Sequence, residues 1–181
     1  HSIRRRQRQM CIRDSYDSRG RLPRSWMAVL LSLQEHGWQV VVSSSGLAPE
    51  VQEQLNTHNI PVLLRHNLGL CLGAYKDICC LLNESDGVLD QRPQVVLAND
   101  STLPIGGPKR FIQVLSAMAE EQSKTTPQLD GMTDSIERDT YHLQSYLLMA
   151  NAPLMHSSWK QFWDRFDLNG SKDDLINAGE L

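Results

Sequence analysis

Residues 93 to 104 read Pro93-Gln94-Val95-Val96-Leu97-Ala98-Asn99-Asp100-Ser101-Thr102-Leu103-Pro104, and the break at Asn99 decides the fold. Val95, Val96 and Leu97 form an apolar run with no polar alternation. That is the pattern of a strand covered on both faces, as in a parallel sheet flanked by helices. In such sheets ligands sit just beyond the carboxyl ends of the strands. Asn99, Asp100 and Ser101 would offer an amide, a carboxylate and a hydroxyl at that edge, hard oxygen ligands that suit a magnesium or manganese ion or the hydroxyls of a sugar. The plainer alternative is an Asx turn that closes the strand on the way to Pro104.

The chain on either side fits the same architecture. After Pro23, the apolar residues Trp26, Val29, Leu30 and Leu33 recur at helical spacing, and His36-Gly37 stops the helix. Trp38 to Val42 reads as a strand, Pro49 to His58 as a helix with Val51 and Leu55 four apart, and Ile60 to Leu64 as another strand. Alternation of this kind marks βαβ units and a mostly parallel sheet. Beyond Asn99, Gly106-Gly107-Pro108 opens a helix with Phe111, Val114, Leu115 and Met118 on one face. Gln128 to Thr133 reads as a strand with a polar end. Thr140 to Met149 reads as one longer strand, with Tyr141, Leu143, Ser145 and Leu147 on one face and His142, Gln144, Tyr146 and Leu148 on the other. Ser157-Ser158 are expected to cap a helix whose Trp159, Phe162, Trp163 and Phe166 make an aromatic stripe, either core or a sugar-stacking surface. A last helix is expected to open at Ser171, and the reading there is of a helix truncated at Leu181.

The length of 181 residues suits one domain with a proper core. A net charge of -3 with 22% charged residues gives no sign of a nucleic-acid partner. No apolar run approaches the ~20 residues that cross a bilayer. Cys11, Cys71, Cys79 and Cys80 form no CxxC pair, which points to reduced thiols and a cytoplasmic setting. Residues 1 to 15 carry Arg4, Arg5, Arg6, Arg8 and Arg13 without a hydrophobic period, and Gln9 to Ser15 resembles a translated sequencing adaptor. The expectation is a foreign or disordered segment over 1–15 and a partial domain over 16–181, opened by a turn at Tyr16 to Gly20. That domain would lack its first strand and be marginally stable.

Arg65-His66-Asn67-Leu68-Gly69-Leu70-Cys71-Leu72-Gly73-Ala74-Tyr75-Lys76 follows the Ile60 to Leu64 strand and opens a helix. Glycines at such a turn let backbone approach a phosphate, the helix N-terminus adds N–H donors, and Arg65 and Lys76 add cations. Tight helix packing explains Gly69 and Gly73 equally well. His142 is the titrating group of the later strand, as a proton carrier or as a structural hydrogen-bond partner.

Taken in order, these segments resemble the rhamnan synthesis protein F family of bacterial polysaccharide glycosyltransferases. Arg65-x-Asn67-x-Gly69 and Gly73-Ala74-Tyr75-Lys76 are similar to its R-x-N-x-G-x-D-x-G-[SA]-[YW]-K, and Leu97 to Ser101 to its strand ending in N-D-S. Gly131-Met132-Thr133 resembles W-G-[IL]-T, His142 to Tyr146 resembles H-[LIF]-Q-S-Y, Phe162-Trp163 resembles F-W, and Ile176 to Leu181 resembles the start of a further segment. Cys71 stands where the family has an aspartate, and Asp130 where it has an aromatic residue.

The resemblance implies a GT-A-like (Rossmann-like) three-layer α/β/α sandwich. It implies a glycosyltransferase of rhamnosyltransferase type, moving a sugar from a nucleotide-sugar donor such as dTDP-rhamnose to a growing cell-surface polysaccharide. The acceptor would be a glycan on a lipid carrier, and the enzyme would associate peripherally with the cytoplasmic face of the membrane. Asp100 would be catalytic and the ligand of a divalent metal, magnesium or manganese. Arg65, Asn67, Gly69, Gly73, Lys76, Asn99 and Ser101 would face the donor, Thr133 and Gln144 the acceptor, and His142 would take the acceptor's proton. The alternative, favoured by Cys71, is a non-catalytic nucleotide- or glycan-binding module derived from such an enzyme. A hydrolase is disfavoured, because Asn99 to Thr102 only loosely matches a phosphatase-type loop and no G-x-S-x-G elbow exists.

Overall fold

The computed structural model describes residues 19–84, 92–101, 104–136, 141–170 and 174, and residues 8–13 as backbone. The turn at Tyr16 to Ser18, Thr140, and the segment Ile176 to Leu181 lie outside the described residues, as does Ser171, the expected start of the last helix. In chain order the elements are β1 (Arg8–Arg13), α1 (Arg24–Glu35), β2 (Trp38–Ser44), α2 (Pro49–Thr57), β3 (Val62–Leu64), α3 (Leu70–Glu84) and β4 (Gln94–Ala98). There follow α4 (Gly107–Glu121), β5 (Leu129–Gly131), β6 (Asp134–Ser135), β7 (His142–Leu143), β8 (Leu147–Asn151), α5 (Ala152–Leu154), a π-helical turn (Met155–Trp159) and α6 (Lys160–Arg165).

Six strands form one sheet in the order β3-β2-β1-β4-β8-β5, and β6 pairs with β7 in a separate ribbon. β1, β2, β3 and β4 are mutually parallel, and β8 runs antiparallel to β4 and to β5. The sheet is therefore mixed but mostly parallel, as the apolar runs predict.

Burial follows the period of two along each strand. Val96 and Ala98 of β4 and Leu147 and Met149 of β8 join a core with α1, α2 and α4. Val95 and Leu97, with Leu148 and Ala150, join a second core with α3 and the Met155 to Phe166 helix. Helices thus cover both faces, which is why β4 carries no polar alternation. Trp26 of α1 meets Phe111 of α4 edge to face, with ring centroids 5.6 Å apart, and ties the two helices over the first core. In the second core Trp159, Trp163 and Phe166 are buried, so the aromatic stripe is core, and Phe162 alone of its four residues is exposed.

Three expectations need correction. The segment 1–15 does not lie wholly outside the fold. Arg8–Arg13 is the strand between β2 and β4, with Cys11 in register with Val41 on one side and Leu97 on the other. Met10-Cys11-Ile12 is a short apolar run of the kind a covered central strand accepts, so the first strand is not missing.

The long strand Thr140 to Met149 is two strands broken by a turn at Ser145-Tyr146, and only β8 belongs to the main sheet. Alternation continued through the turn in sequence and hid it. The helix expected after Ser157-Ser158 starts earlier, at Ala152, where Asn151 Oδ1 accepts from Leu154 N–H at 3.1 Å and Pro153 suits the first turn.

The position of β1 has a direct test. A proline in a strand paired on both sides removes a ladder N–H and does not fit a sheet interior. Cys11→Pro is expected to lower stability in a denaturant melt by on the order of 3 kcal/mol. A melt superimposable on the parent's would return the segment to the outside of the fold.

Candidate active site at the carboxyl edge of the sheet

The polar residues of the site stand where the parallel strands end. β4 stops because Asn99 folds back on itself: its Oδ1 accepts from Ser101 N–H at 3.0 Å, which is the Asx turn. Its N–H donates to the Tyr146 carbonyl at 3.0 Å, and its Nδ2 to the Ser145 carbonyl at 3.4 Å. Asn99 is buried, and these three bonds hold it at the turn. Asp100 is half-buried and Ser101 exposed, and these two remain at the rim.

Because β8 is antiparallel to β4, with Ala98 opposite Leu147, the chain entering β8 lies at this same edge. Met132 N–H donates to the Leu147 carbonyl at 3.0 Å, and Gln144 N–H to the Thr133 carbonyl at 3.0 Å. His142 pairs with Ser135 in the ribbon and is buried. The segments holding Asp100, Thr133, His142 and Gln144 are thus linked strand to strand at one end of the sheet. Thr133 Oγ1 is buried there and has no hydrogen-bond partner.

The Arg65 to Lys76 segment also starts at this edge, after β3, but its groups are engaged inside the protein. Arg65 Nε meets Asp77 Oδ2 at 2.5 Å, and its Nη2 donates to the Leu68 carbonyl. Lys76 Nζ donates to the Phe166 carbonyl at 2.5 Å and so clasps α3 to the end of α6. Gly69 has φ +71°, and a Cβ there would run into Leu168; a Cβ at Gly73 would collide with the Leu68 carbonyl and the Arg65 guanidinium. Both glycines thus meet close packing, and both cations hold partners inside the protein. Asn67 is exposed in the connecting loop.

Sequence reasoning passed over Tyr75 and Ser145. The buried Tyr75 hydroxyl donates to the Ser145 carbonyl at 2.7 Å, and Ser145 Oγ lies 3.2 Å from Cys71 Sγ. Both residues stand inside the quoted motifs, and the paired requirement of a buried hydroxyl and a buried carbonyl is not visible from either alone.

Among the described residues no three His, Cys, Asp or Glu side chains come together to hold a metal ion. Asp100 is the residue that would hold a divalent ion there, and the chemistry below uses the chain's own groups. On the ribbon, the Asp134 carboxylate raises the Tyr141 phenol above its ordinary range, because a phenolate would face a like charge. Burial, followed by Asp164, raises the Cys80 thiol.

Two clefts lie elsewhere. One of about 540 Å³ is lined by Gln94, Gln122, Lys124 and Asn151 at the other end of β4, and one of about 500 Å³ runs along Phe162 and Arg165 of α6. Neither is lined by an expected site residue. Among the described residues no helix is long and apolar enough to cross a membrane.

No protein-family model matches the chain, and no curated protein matches it. In three dimensions it is similar to a cytidylyltransferase from Leptospira borgpetersenii serovar Hardjo-bovis (strain JB197), with a TM-score of 0.50 and 12% identity over 94% of this chain and 69% of that one. The likeness is one of fold: mixed α/β and Rossmann-like.

Two outcomes follow from these contacts. Arg65→Gln, which breaks the Asp77 pair and frees the Leu68 carbonyl, is expected to cost about 2 kcal/mol in a denaturant melt, and a cost below about 0.5 kcal/mol would show that the Asp77 pair does not stabilise the fold. Asp134→Asn is expected to move the Tyr141 phenol titration, followed by ultraviolet absorbance, down toward the ordinary tyrosine range. An unmoved titration would show that Asp134 does not act on it.

Proposed function

We propose that this chain is a glycosyltransferase domain that transfers a sugar from a nucleotide-sugar donor to a growing cell-surface polysaccharide. The observation that carries the reading is that the segments bearing Asp100 and Ser101, Thr133, and His142 and Gln144 are hydrogen-bonded to one another at the carboxyl edge, beside the point where β1 and β4 diverge in connection. From β1 the chain crosses through α1 toward β2 and β3, whereas β4 is reached through α3 on the other face, and ligands of open α/β sheets bind at such a switch point. A fold shared with a protein named a cytidylyltransferase is consistent with nucleotide chemistry in a transferase. The finer reading is a GT-A-like sandwich of the rhamnan synthesis protein F type. It comes with a dTDP-rhamnose-like donor, a lipid-linked glycan acceptor, and peripheral attachment at the cytoplasmic membrane face.

The chemistry needs three things from the chain. The sugar must be oriented, and Asp100 with Ser101 offers an acceptor and a hydroxyl at the rim for its hydroxyl groups. The diphosphate gains negative charge as the bond to the anomeric carbon breaks. The first turn of α3, which opens toward the same edge, supplies N–H groups and the positive end of a helix dipole for that charge. The acceptor hydroxyl loses a proton as its oxygen bonds to the anomeric carbon, and His142 is the residue proposed to take it, with Thr133 and Gln144 as neighbours that orient the acceptor.

The engagement of Arg65 with Asp77 and of Lys76 with Phe166 favours a second reading, a binding module in which the cations have structural work only. Turnover of a panel of nucleotide sugars, with calorimetric binding of the matching nucleoside diphosphates, separates the two. The transferase reading expects turnover, and a loss of about a hundredfold in kcat for Asp100→Asn with nucleotide affinity nearly unchanged. Binding without turnover would leave the module, and undiminished turnover in Asp100→Asn would remove Asp100 from the chemistry.

A further inference from the structure

The hold of the acceptor-side turn on the rest of the domain comes down to Ser145, which is 4% exposed. Its carbonyl accepts from the Tyr75 hydroxyl at 2.7 Å and from Asn99 Nδ2 at 3.4 Å, and its hydroxyl lies 3.2 Å from Cys71 Sγ. Next to it, the Tyr146 carbonyl accepts from Asn99 N–H at 3.0 Å. Tyr75 is wholly buried in the second core with Leu72 and Ile78 of its own helix, so core packing fixes where its hydroxyl stands. Asn99 immediately precedes Asp100, and Ser145 lies three residues after His142.

We infer that Tyr75 and Ser145 are positioning residues: they lock the His142 to Tyr146 segment against the end of β4 and so set how Asp100 and His142 stand relative to each other across the site. The catalytic consequence rests on the transferase reading, whereas the positional one does not. Misplacing a reacting group by ~1 Å costs on the order of a hundredfold in rate. Removing one of several ties should therefore have a smaller effect than that, and should act on kcat. The groups that contact substrate stay in place chemically, and only their alignment loosens.

The test uses Tyr75→Phe, which keeps the buried ring and deletes the hydroxyl, read by backbone amide resonances and by kcat and KM for nucleotide-sugar turnover. The amides of Asn99 to Ser101 and Gln144 to Tyr146 are expected to move or broaden while those of α1 and α2 stay. The kcat is expected to fall about tenfold with KM changed by less than about twofold. Unmoved amides at both segments overturn the inference, as does a rise in KM with kcat intact. If the parent turns over no sugar in the panel, the transferase reading fails and the amide resonances alone decide the positional claim. If Tyr75→Phe does not fold, amide hydrogen exchange of the parent is read instead: exchange at the Asn99 N–H, which donates to the Tyr146 carbonyl, as slow as in β4 supports the lock, and exchange as fast as in an open loop overturns it.

Discussion

Two donors meet on one buried carbonyl, that of Ser145, from positions 70 and 46 residues away in the chain. Bringing such distant segments together carries a closure entropy that only well-packed burial offsets. Tyr75 is delivered by a helix lying on one face of the sheet, and Asn99 by the strand beneath it. Away from water such hydrogen bonds are stronger, and leaving one unmade costs more. The rest of the site depends on this junction, because Asp100, Ser101, His142 and Gln144 hang from the segments that it joins, and Thr133 is tied to them through the Gln144 N–H.

The sheet explains why the junction lies where it does. Parallel strands with helices on both faces leave their carboxyl ends as the place where loops can diverge, and β1 between β2 and β4 makes the divergence. The strand β5 ends at that same end and the antiparallel β8 starts there, which brings the ribbon of β6 and β7 between them beside the end of β4. The apolar interior above and below is completed by unrelated means: an edge-to-face Trp26 and Phe111 pair on one side, a run of tryptophans on the other.

Much of this was legible in the residues, because local rules and global fold agree there. The unalternated Val95-Val96-Leu97 told of helices on both faces, and the spacing of Trp26, Val29, Leu30 and Leu33 gave α1 with its buried side. What could not be read depended on partners remote in sequence. Arg65 and Lys76 look like free cations beside a glycine turn, and only the fold shows Asp77 and the Phe166 carbonyl taking them. Alternation from Thr140 to Met149 has no sign of the turn, since Ser145 and Tyr146 keep the period that the turn interrupts. A segment so unlike the rest as residues 1–15 hid a strand for a simpler reason: three apolar residues suffice for a central position when both neighbours supply the ladder. The Asx turn at Asn99 was readable, and its further bonds to the Ser145 and Tyr146 carbonyls were not, since those partners are remote in sequence.

The central claim is that the carboxyl edge receives the nucleotide portion of a donor. Titration of dTDP and UDP into isotopically labelled protein, with backbone amide shifts mapped along the chain, tests it most directly. The account predicts saturable shifts concentrated at Asp100, Ser101 and the first turn of α3. Shifts centred instead on Gln94, Lys124 and Asn151 at the other end of β4, or none with either nucleotide, would contradict it.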